Sequence, residues 1–251
     1  MLAPLVAEAV RYASTVKAYR LDFLVEMVSF SLLFVGLEAA GDPRGFSASL
    51  LGYMMWYLGF TALTEIGSGV DDESMGGTLE QLALTRIGLL PALVGRSVVV
   101  VITEVASASL LGLLSLAFAK LLLRPVPSGP ILAQTVVATV VLVVIGMLGM
   151  GLEIGALVLA KKRSSSAIPL LQYLMLFFTG VFTGIEGFPT ALKVVAYAFP
   201  LSWAGQALRQ PDHGIWIWGL LACVFIHLTS GVLLFSRIEM RARRKGQLYE
   251  Q

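Results

Sequence analysis

Six long apolar runs dominate the chain, with cores at about 23–40, 48–68, 97–122, 131–160, 167–185 and 215–236. Each is close to the roughly 20 residues an α-helix needs to cross the hydrocarbon of a bilayer. Backbone N–H and C=O groups cannot stay unpaired in lipid, so these runs are predicted to be helices, and no period-two alternation competes with that reading. The fourth run is long enough to tilt or to project beyond the bilayer. Ahead of the first run, Leu2, Leu5, Val6, Ala9, Val10, Ala13 and Val16 recur at helical spacing, while Glu8, Arg11 and Thr15 fall on another face. That pattern predicts an amphipathic helix over 1–22 lying in the membrane interface; the plainer alternative is a polar lead-in to the first span. Between the last two runs, 186–214 is not a polar loop. Its stretch from Thr190 to Phe199 is mostly apolar, too short to cross, and bounded by Pro189 and Pro200. A re-entrant or interfacial helical hairpin is the natural expectation.

Composition turns this pattern into a class. Of 251 residues, 57% are hydrophobic and 14% charged, and the mean hydropathy is +0.83, whereas a soluble domain carries about 25% charged residues. The expectation is an all-α membrane protein, a single domain over 1–251, with six spans in 23–236 and a basic tail in 237–251. Of the 18 Lys and Arg residues, an N-in arrangement places 13 on the cytoplasmic side and leaves Arg44, Lys120, Arg124, Lys193 and Arg209 outside. Positive charge collects on the cytoplasmic side, so both termini are expected there. The runs Lys161-Lys162-Arg163 and Arg241 to Lys245 mark topology and also suit anionic lipid headgroups. Glu8, Arg11, Lys17, Arg20 and Asp22 interrupt any leader-like apolar core, so no cleavable signal peptide is expected. A lone Cys223 excludes an internal disulfide, and no Cys/His spacing suggests a metal site. No nucleic-acid partner is expected. No internal repeat supports an inverted-repeat carrier, and the chain contains no G-x-x-x-x-G-K-[ST] phosphate loop with which to hydrolyse ATP.

The main acidic stretch, Asp71-Asp72-Glu73, precedes Gly76-Gly77, which should break the helix before it. Thr78 and Gln81 have capping-box spacing, so a short helix of about 12 Å is expected to begin there, with Leu79, Leu82 and Ala83 on one face and Glu80 on another. The spacing alone does not decide between a protruding peg and a turn that merely links two spans. Inside the runs, Glu26, Glu65, Glu104 and Glu153 each need a partner, water or a proton. Glu65 and Glu153 are expected near cytoplasmic ends, where snorkelling is cheap. Glu104 lies deeper, a candidate for translocation, for interhelical hydrogen bonding or for a vestibule, and Arg96 two turns earlier cannot reach it. Gly151-x-x-x-Gly155 and Gly180-x-x-x-Gly184 permit close helix approach within a subunit or across a dimer. Trp203, Trp216 and Trp218 suit an interfacial belt, with ligand stacking as the sharper alternative. His227 and Cys223, inside the last run, are expected to be core residues.

Two motifs resemble those of ABC type-2 exporter permeases. Glu73…Gly77-Thr78-Leu79-Glu80-Gln81-Leu82…Thr85 is similar to the family's cytoplasmic signature of an acidic residue followed by Gly-Thr-Leu/Met-Glu and a closing Thr-Pro; Arg86 stands where that Pro is usual. Phe178-Thr179-Gly180-Val181-Phe182, leading through Phe188-Pro189 to Phe199-Pro200-Leu201-Ser202-Trp203 and Ala207-Leu208-Arg209, resembles the family's run from its fifth span through a re-entrant hairpin. Thr183-Gly184 take the place of a common Pro, and Phe199 that of a common Asn.

The resemblance implies the transmembrane permease subunit of an ATP-driven exporter in a bacterial or archaeal cell membrane. It implies a second permease copy or homologue as dimer partner, and a cytoplasmic ABC ATPase subunit that holds ATP and Mg; this chain itself would hold no cofactor and be no enzyme. Glu73, Gly77, Thr78, Leu79, Glu80, Gln81 and Leu82 would form the coupling helix that docks on the ATPase. Phe188, Pro189, Pro200, Leu201, Trp203 and Arg209 would belong to the re-entrant hairpin on the outer side. Spans one, two and five would line the route or the dimer seam, with Gly180 and Gly184 as packing candidates there. The cargo would be amphipathic, drug-like or lipid-linked, moved by alternating access. An intramembrane enzyme acting on lipid and an ion-driven carrier are the alternatives; the first needs a convergent polar constellation in the spans, the second a charge ring or repeat.

Overall fold

The computed structural model describes residues 10, 14, 17–40, 46–84, 88–121, 133–161, 167–178, 185–210 and 214–244, with the backbone alone at 40, 47, 48, 80, 83, 84, 133–135, 161, 167 and 178. Its regular elements are all helical: α1 (Arg20–Ala40), α2 (Phe46–Met75), α3 (Leu79–Leu84), α4 (Leu89–Leu121), α5 (Ala133–Lys161), α6 (Ala167–Phe178), α7 (Thr190–Tyr197), α8 (Pro200–Arg209) and α9 (Ile215–Arg244). The expected interfacial helix over 1–22 falls mostly outside the described residues.

Three of these helices are long and apolar enough to cross a membrane: α4, Val136–Ala160 within α5, and α9. The six even runs read from hydropathy separate into different kinds of helix. α1 and α2 are long, at 21 and 30 residues, but carry Asp22, Glu26 and Glu38, and Glu65, Asp71, Asp72 and Glu73. α6 is apolar but only 12 residues long, and its expected continuation over 179–184, with Gly180 and Gly184, lies outside the described residues. Through the first residues of the expected basic tail, α9 runs unbroken to Arg244, with Ala242 buried and Glu239 paired with Arg243 at 2.5 Å one turn on.

α2 sits centrally, packed on α4, α5, α6 and α8, while α5 and α9 form the most extensive pair. The α5–α9 seam is closed by glycines. A Cβ on Gly149 would lie 2.6 Å from the His227 carbonyl carbon, and one on Gly231 would lie 2.3 Å from the Gly149 carbonyl oxygen. Farther along, Gly155 faces Phe235, so the two helices run parallel. Helices in lipid gain little from hydrophobic burial against one another, and small residues that allow backbone contact supply the attraction instead. Gly151 likewise meets the Leu63 backbone, so the Gly151/Gly155 pair works inside the subunit, between α5, α2 and α9. The outer face of α9 stays apolar and exposed, with Trp218 at 72% and Phe225 at 70%, a surface that hydrocarbon covers without cost.

Aromatic side chains fill the contact of α1 with α2. Phe34, Tyr53 and Trp56 are fully buried, Tyr53 stacks on Trp56 at 5.0 Å, and the Tyr53 hydroxyl donates to the Phe30 carbonyl at 3.0 Å. The Trp56 indole N–H reaches across to the Gln172 carbonyl of α6 at 3.3 Å.

Candidate functional site

The junction of α2 and α3 follows from local chain chemistry. Thr78 N–H donates to the Glu73 carbonyl at 3.0 Å and Gly77 N–H to the Ser74 carbonyl at 3.2 Å, the paired bonds of a Schellman cap. Gly77 occupies the left-handed position at φ +66, where a residue without Cβ avoids strain. α3 starts one residue after Thr78 and is described over six residues, with Thr85 and Arg86 outside the description. Leu79 is buried and Leu82 packs on the core, while Gln81 is exposed, so one side of α3 seats on the bundle and another faces away. The Thr78 hydroxyl departs from capping-box geometry: it turns back and donates to the Glu73 carboxylate.

That carboxylate anchors a small ionic cluster. Arg96 of α4 lies 3.4 Å from Glu65 and 3.5 Å from Glu73. Glu65 therefore has a protein partner rather than merely snorkelling, and Arg96, as anticipated, does not serve Glu104. The chain Thr78–Glu73–Arg96–Glu65 ties the start of α3 to both α2 and α4.

The segment between α6 and α9 folds as two short helices. Pro189 caps α7 with extended backbone, and Phe199, also extended, precedes Pro200 at the first turn of α8. There its missing N–H is no loss and its fixed φ suits a helix start. Phe188 donates its N–H to the Ile185 carbonyl at 3.1 Å. α8 is buried on most sides, including Leu201, Ser202 and Gln206, so it is inserted among α2, α5 and α9 rather than laid on the surface. A Cβ on Gly146 of α5 would meet Pro200 at 2.8 Å. The Trp203 indole donates to the Tyr197 carbonyl at 2.8 Å and its ring sits 4.7 Å from Tyr197 and 6.0 Å from Trp216. Trp203 is thus a clasp inside the hairpin, while Trp218 is exposed. Arg209 closes the last turn of α8, where a cation suits the helix dipole.

His227 corrects an expectation. Its Nδ1 lies 3.2 Å from both oxygens of Glu153, its Nε2 lies 2.8 Å from the Ala198 carbonyl, and the Ser230 hydroxyl donates to Glu153. It is therefore no ordinary core residue, and Glu153 is not a snorkelling end residue. The close α5–α9 contact at Gly149 and Gly231 brings these groups together, and His227 joins both helices to the turn between α7 and α8. The cluster contains a serine, a histidine and a glutamate but lacks nucleophile geometry. Ser230 donates to the carboxylate instead of to the imidazole, and a backbone carbonyl occupies the other ring nitrogen, so no base is aimed at the hydroxyl.

Glu104, 6% exposed, accepts a 2.7 Å hydrogen bond from the Tyr57 hydroxyl. Both residues line a cavity of about 420 Å³ walled by α1, α2, α4 and α6, which also presents Asp22, Glu26, Phe30 and Gln172. Among the described residues, no group of three or more His, Cys, Asp or Glu is placed to hold a metal ion.

Residues 22–213 match the family model described as "ABC-2 type transporter". The matched segment runs from the first turn of α1 through the hairpin and includes the α2–α3 junction, the Arg96 cluster and all of the cavity's lining residues but Tyr19. No curated protein matches the chain.

Proposed function

The chain belongs to the ABC-2 type transporter family, and from that premise we propose that it is the permease subunit of an ATP-driven exporter. It works as a dimer with a second copy or homologue, in a bacterial or archaeal cell membrane crossed six times with both termini in the cytoplasm. α3 is the coupling helix. It docks on a cytoplasmic ABC ATPase subunit that binds ATP and Mg, and its movement opens the bundle alternately to the two sides. The cargo is amphipathic, drug-like or lipid-linked.

The observation that supports this reading best is the mounting of α3. A docking element must transmit force, so it needs an exposed surface for the partner and rigid attachment behind it. α3 has Gln81 facing out and Leu79 seated, and the cluster of Thr78, Glu73, Arg96 and Glu65 fixes its start to two long helices. A turn that merely linked two spans would need no such ionic bracing. The Arg and Lys distribution supports this orientation, with this end of the bundle in the cytoplasm and the hairpin outside.

The experiment is purification of the tagged chain from its native membrane with an assay for Mg-dependent ATP hydrolysis. A co-purifying ATPase that is lost when Gly77 to Glu80 are replaced by a flexible Ser-rich segment supports the proposal. Transport by the purified chain alone, without ATP, would refute it.

A further inference from the structure

We propose that the cavity between α1, α2, α4 and α6 is a binding site for lipophilic organic cations, captured from the side of the membrane where α3 lies. The inference rests on the exporter reading for what the site is for, but not for what it binds.

Size comes first. A volume of about 420 Å³ falls within the range of about 300–1,000 Å³ typical of small-molecule sites. Charge comes next. Three carboxylates, Asp22, Glu26 and Glu104, line the cavity, and among the described lining residues there is no Lys, Arg or His. The basic group on the neighbouring stretch of α4, Arg96, is turned to Glu65 and Glu73 and does not balance them. Glu104 is buried among apolar helices, where a charge is costly, and a bound cation would offset that cost, while Asp22 and Glu26 are exposed and add negative potential at the site.

The walls select further. Phe23, Phe30, Phe60 and Tyr57 supply aromatic surface, and the negative faces of such rings attract a cation while giving an apolar body something to pack on. Donors that an anion would require are already committed. Thr61 donates to the Tyr57 carbonyl and Thr64 to the Phe60 carbonyl, each at 3.0 Å, and the Tyr57 hydroxyl is given to Glu104. Of the described lining residues, only Tyr19 and Gln172 keep polar hydrogens not assigned to these bonds. The site is therefore acceptor-rich and aromatic, the chemistry of a quaternary ammonium or phosphonium ligand rather than of a phosphate or sugar.

Placement gives the direction of capture. The α1 wall runs from Tyr19, just ahead of that helix, to Phe30 at its middle, and the α6 wall comes from Gln172. Gln172 meets Trp56, in the half of α2 away from α3, whereas the wall reaches toward α3 through Tyr19 at the start of α1 and Thr64 on α2, and that is the side of entry.

The test uses the full chain in phosphatidylcholine nanodiscs without ATP or any ATPase. Equilibrium dialysis compares tetraphenylphosphonium with tetraphenylborate, similar in shape and opposite in charge, after subtraction of protein-free nanodiscs. Saturable binding of the cation with at least about tenfold preference over the anion is expected, and Glu26→Gln and Glu104→Gln should each remove most of that preference. Asp22→Asn, nearer the mouth, provides a third variant should Glu104→Gln fail to fold, and the unfolding midpoint of each variant shows whether it has. Absence of saturable cation binding, equal affinity for the two ions, or full preference retained in any two of these single variants that fold would overturn the proposal. Its failure would leave ATPase co-purification untouched, and loss of ATPase co-purification would leave cation binding standing, so the two readings fail separately.

Discussion

Replacing Arg96 by Gln should loosen α3 from the bundle without unfolding it. The guanidinium lies 3.4 Å from Glu65 and 3.5 Å from Glu73, and all three side chains are about one-quarter exposed, at 24–25%. At an effective dielectric of about 20, each pair is worth about 5 kcal/mol of Coulomb energy before desolvation is charged against it. Exposed pairs net about 0–1 kcal/mol and broken buried pairs cost about 3–5. An intermediate site, left with two carboxylates facing each other, should lose about 2 kcal/mol. A double-mutant cycle isolates the part that matters. Glu73→Gln keeps an oxygen for the Thr78 hydroxyl but removes the charge, so Arg96→Gln, Glu73→Gln and the double variant should show a coupling energy of about 1–2 kcal/mol. Reversible unfolding in mixed SDS and maltoside micelles gives the free energies, and amide exchange reports α3 directly. Exchange over Leu79–Leu84 should speed up about tenfold in Arg96→Gln while the centre of α4 stays protected. Additivity within about 0.3 kcal/mol, together with unchanged exchange in α3, would show that the cluster does not hold the helix.

Gly77→Ala should cost about 1 kcal/mol through strain at its positive φ, seen as a lower unfolding midpoint, with Gly77→Asn milder because Asn tolerates that region. Gly149→Ala should be far worse, since its Cβ would stand 2.6 Å from backbone of α9; a loss of more than about 2 kcal/mol, or failure to accumulate, is expected. In contrast, Gly36→Ala, with nothing within 4 Å of the added Cβ, should stabilise α1 by up to about 1 kcal/mol. His227→Ala should free the hairpin turn and leave Glu153 and the Ala198 carbonyl without their imidazole. Because Cys223, buried, lies 3.5 Å from that same carbonyl, its maleimide labelling should accelerate several-fold, and unchanged labelling would argue against the anchor.

Helices and their breaks were legible because they follow from local chemistry. Apolar runs in lipid must be helical, Gly77 ends α2, and Pro189 and Pro200 delimit the hairpin segments. What escaped is what depends on which helices meet. Glu153 and His227 stand 74 positions apart, and only the glycine-closed seam of α5 with α9 makes them partners; Gly149 and Gly231 do not form a spaced motif with each other, so no pattern along one helix signals the contact. The Thr78 hydroxyl departs from its sequence expectation for a similar reason. Its spacing to Gln81 satisfies a capping box, but Glu73, five residues back, is delivered to it by the Schellman turn. The cavity left no linear signal, because its wall draws on four helices and its three carboxylates come from two of them.

The two polar clusters and the cavity share one mechanical element. α2 carries Glu73 near one end and Glu65 two turns inward, lines the cavity with Tyr57, Phe60, Thr61 and Thr64 in its middle, and packs against α8 of the hairpin. From Glu73 to Tyr57 a straight helix extends about 24 Å at 1.5 Å per residue. No described proline or non-helical residue interrupts α2 over that distance, so a tilt imposed at α3 cannot be absorbed there and must appear at the cavity wall. Displacement of α2 relative to α4 would strain the Tyr57–Glu104 hydrogen bond, because its donor rides on one helix and its acceptor on the other. If α3 is driven by an ATPase and the cavity takes cargo, as proposed, that bond is where the drive first meets it. A Tyr57→Phe variant should then keep ATPase docking but lose part of the dependence of ATP hydrolysis on bound tetraphenylphosphonium. Full retention of that dependence would place the transmission elsewhere, in the contacts of α2 with α5 or α8.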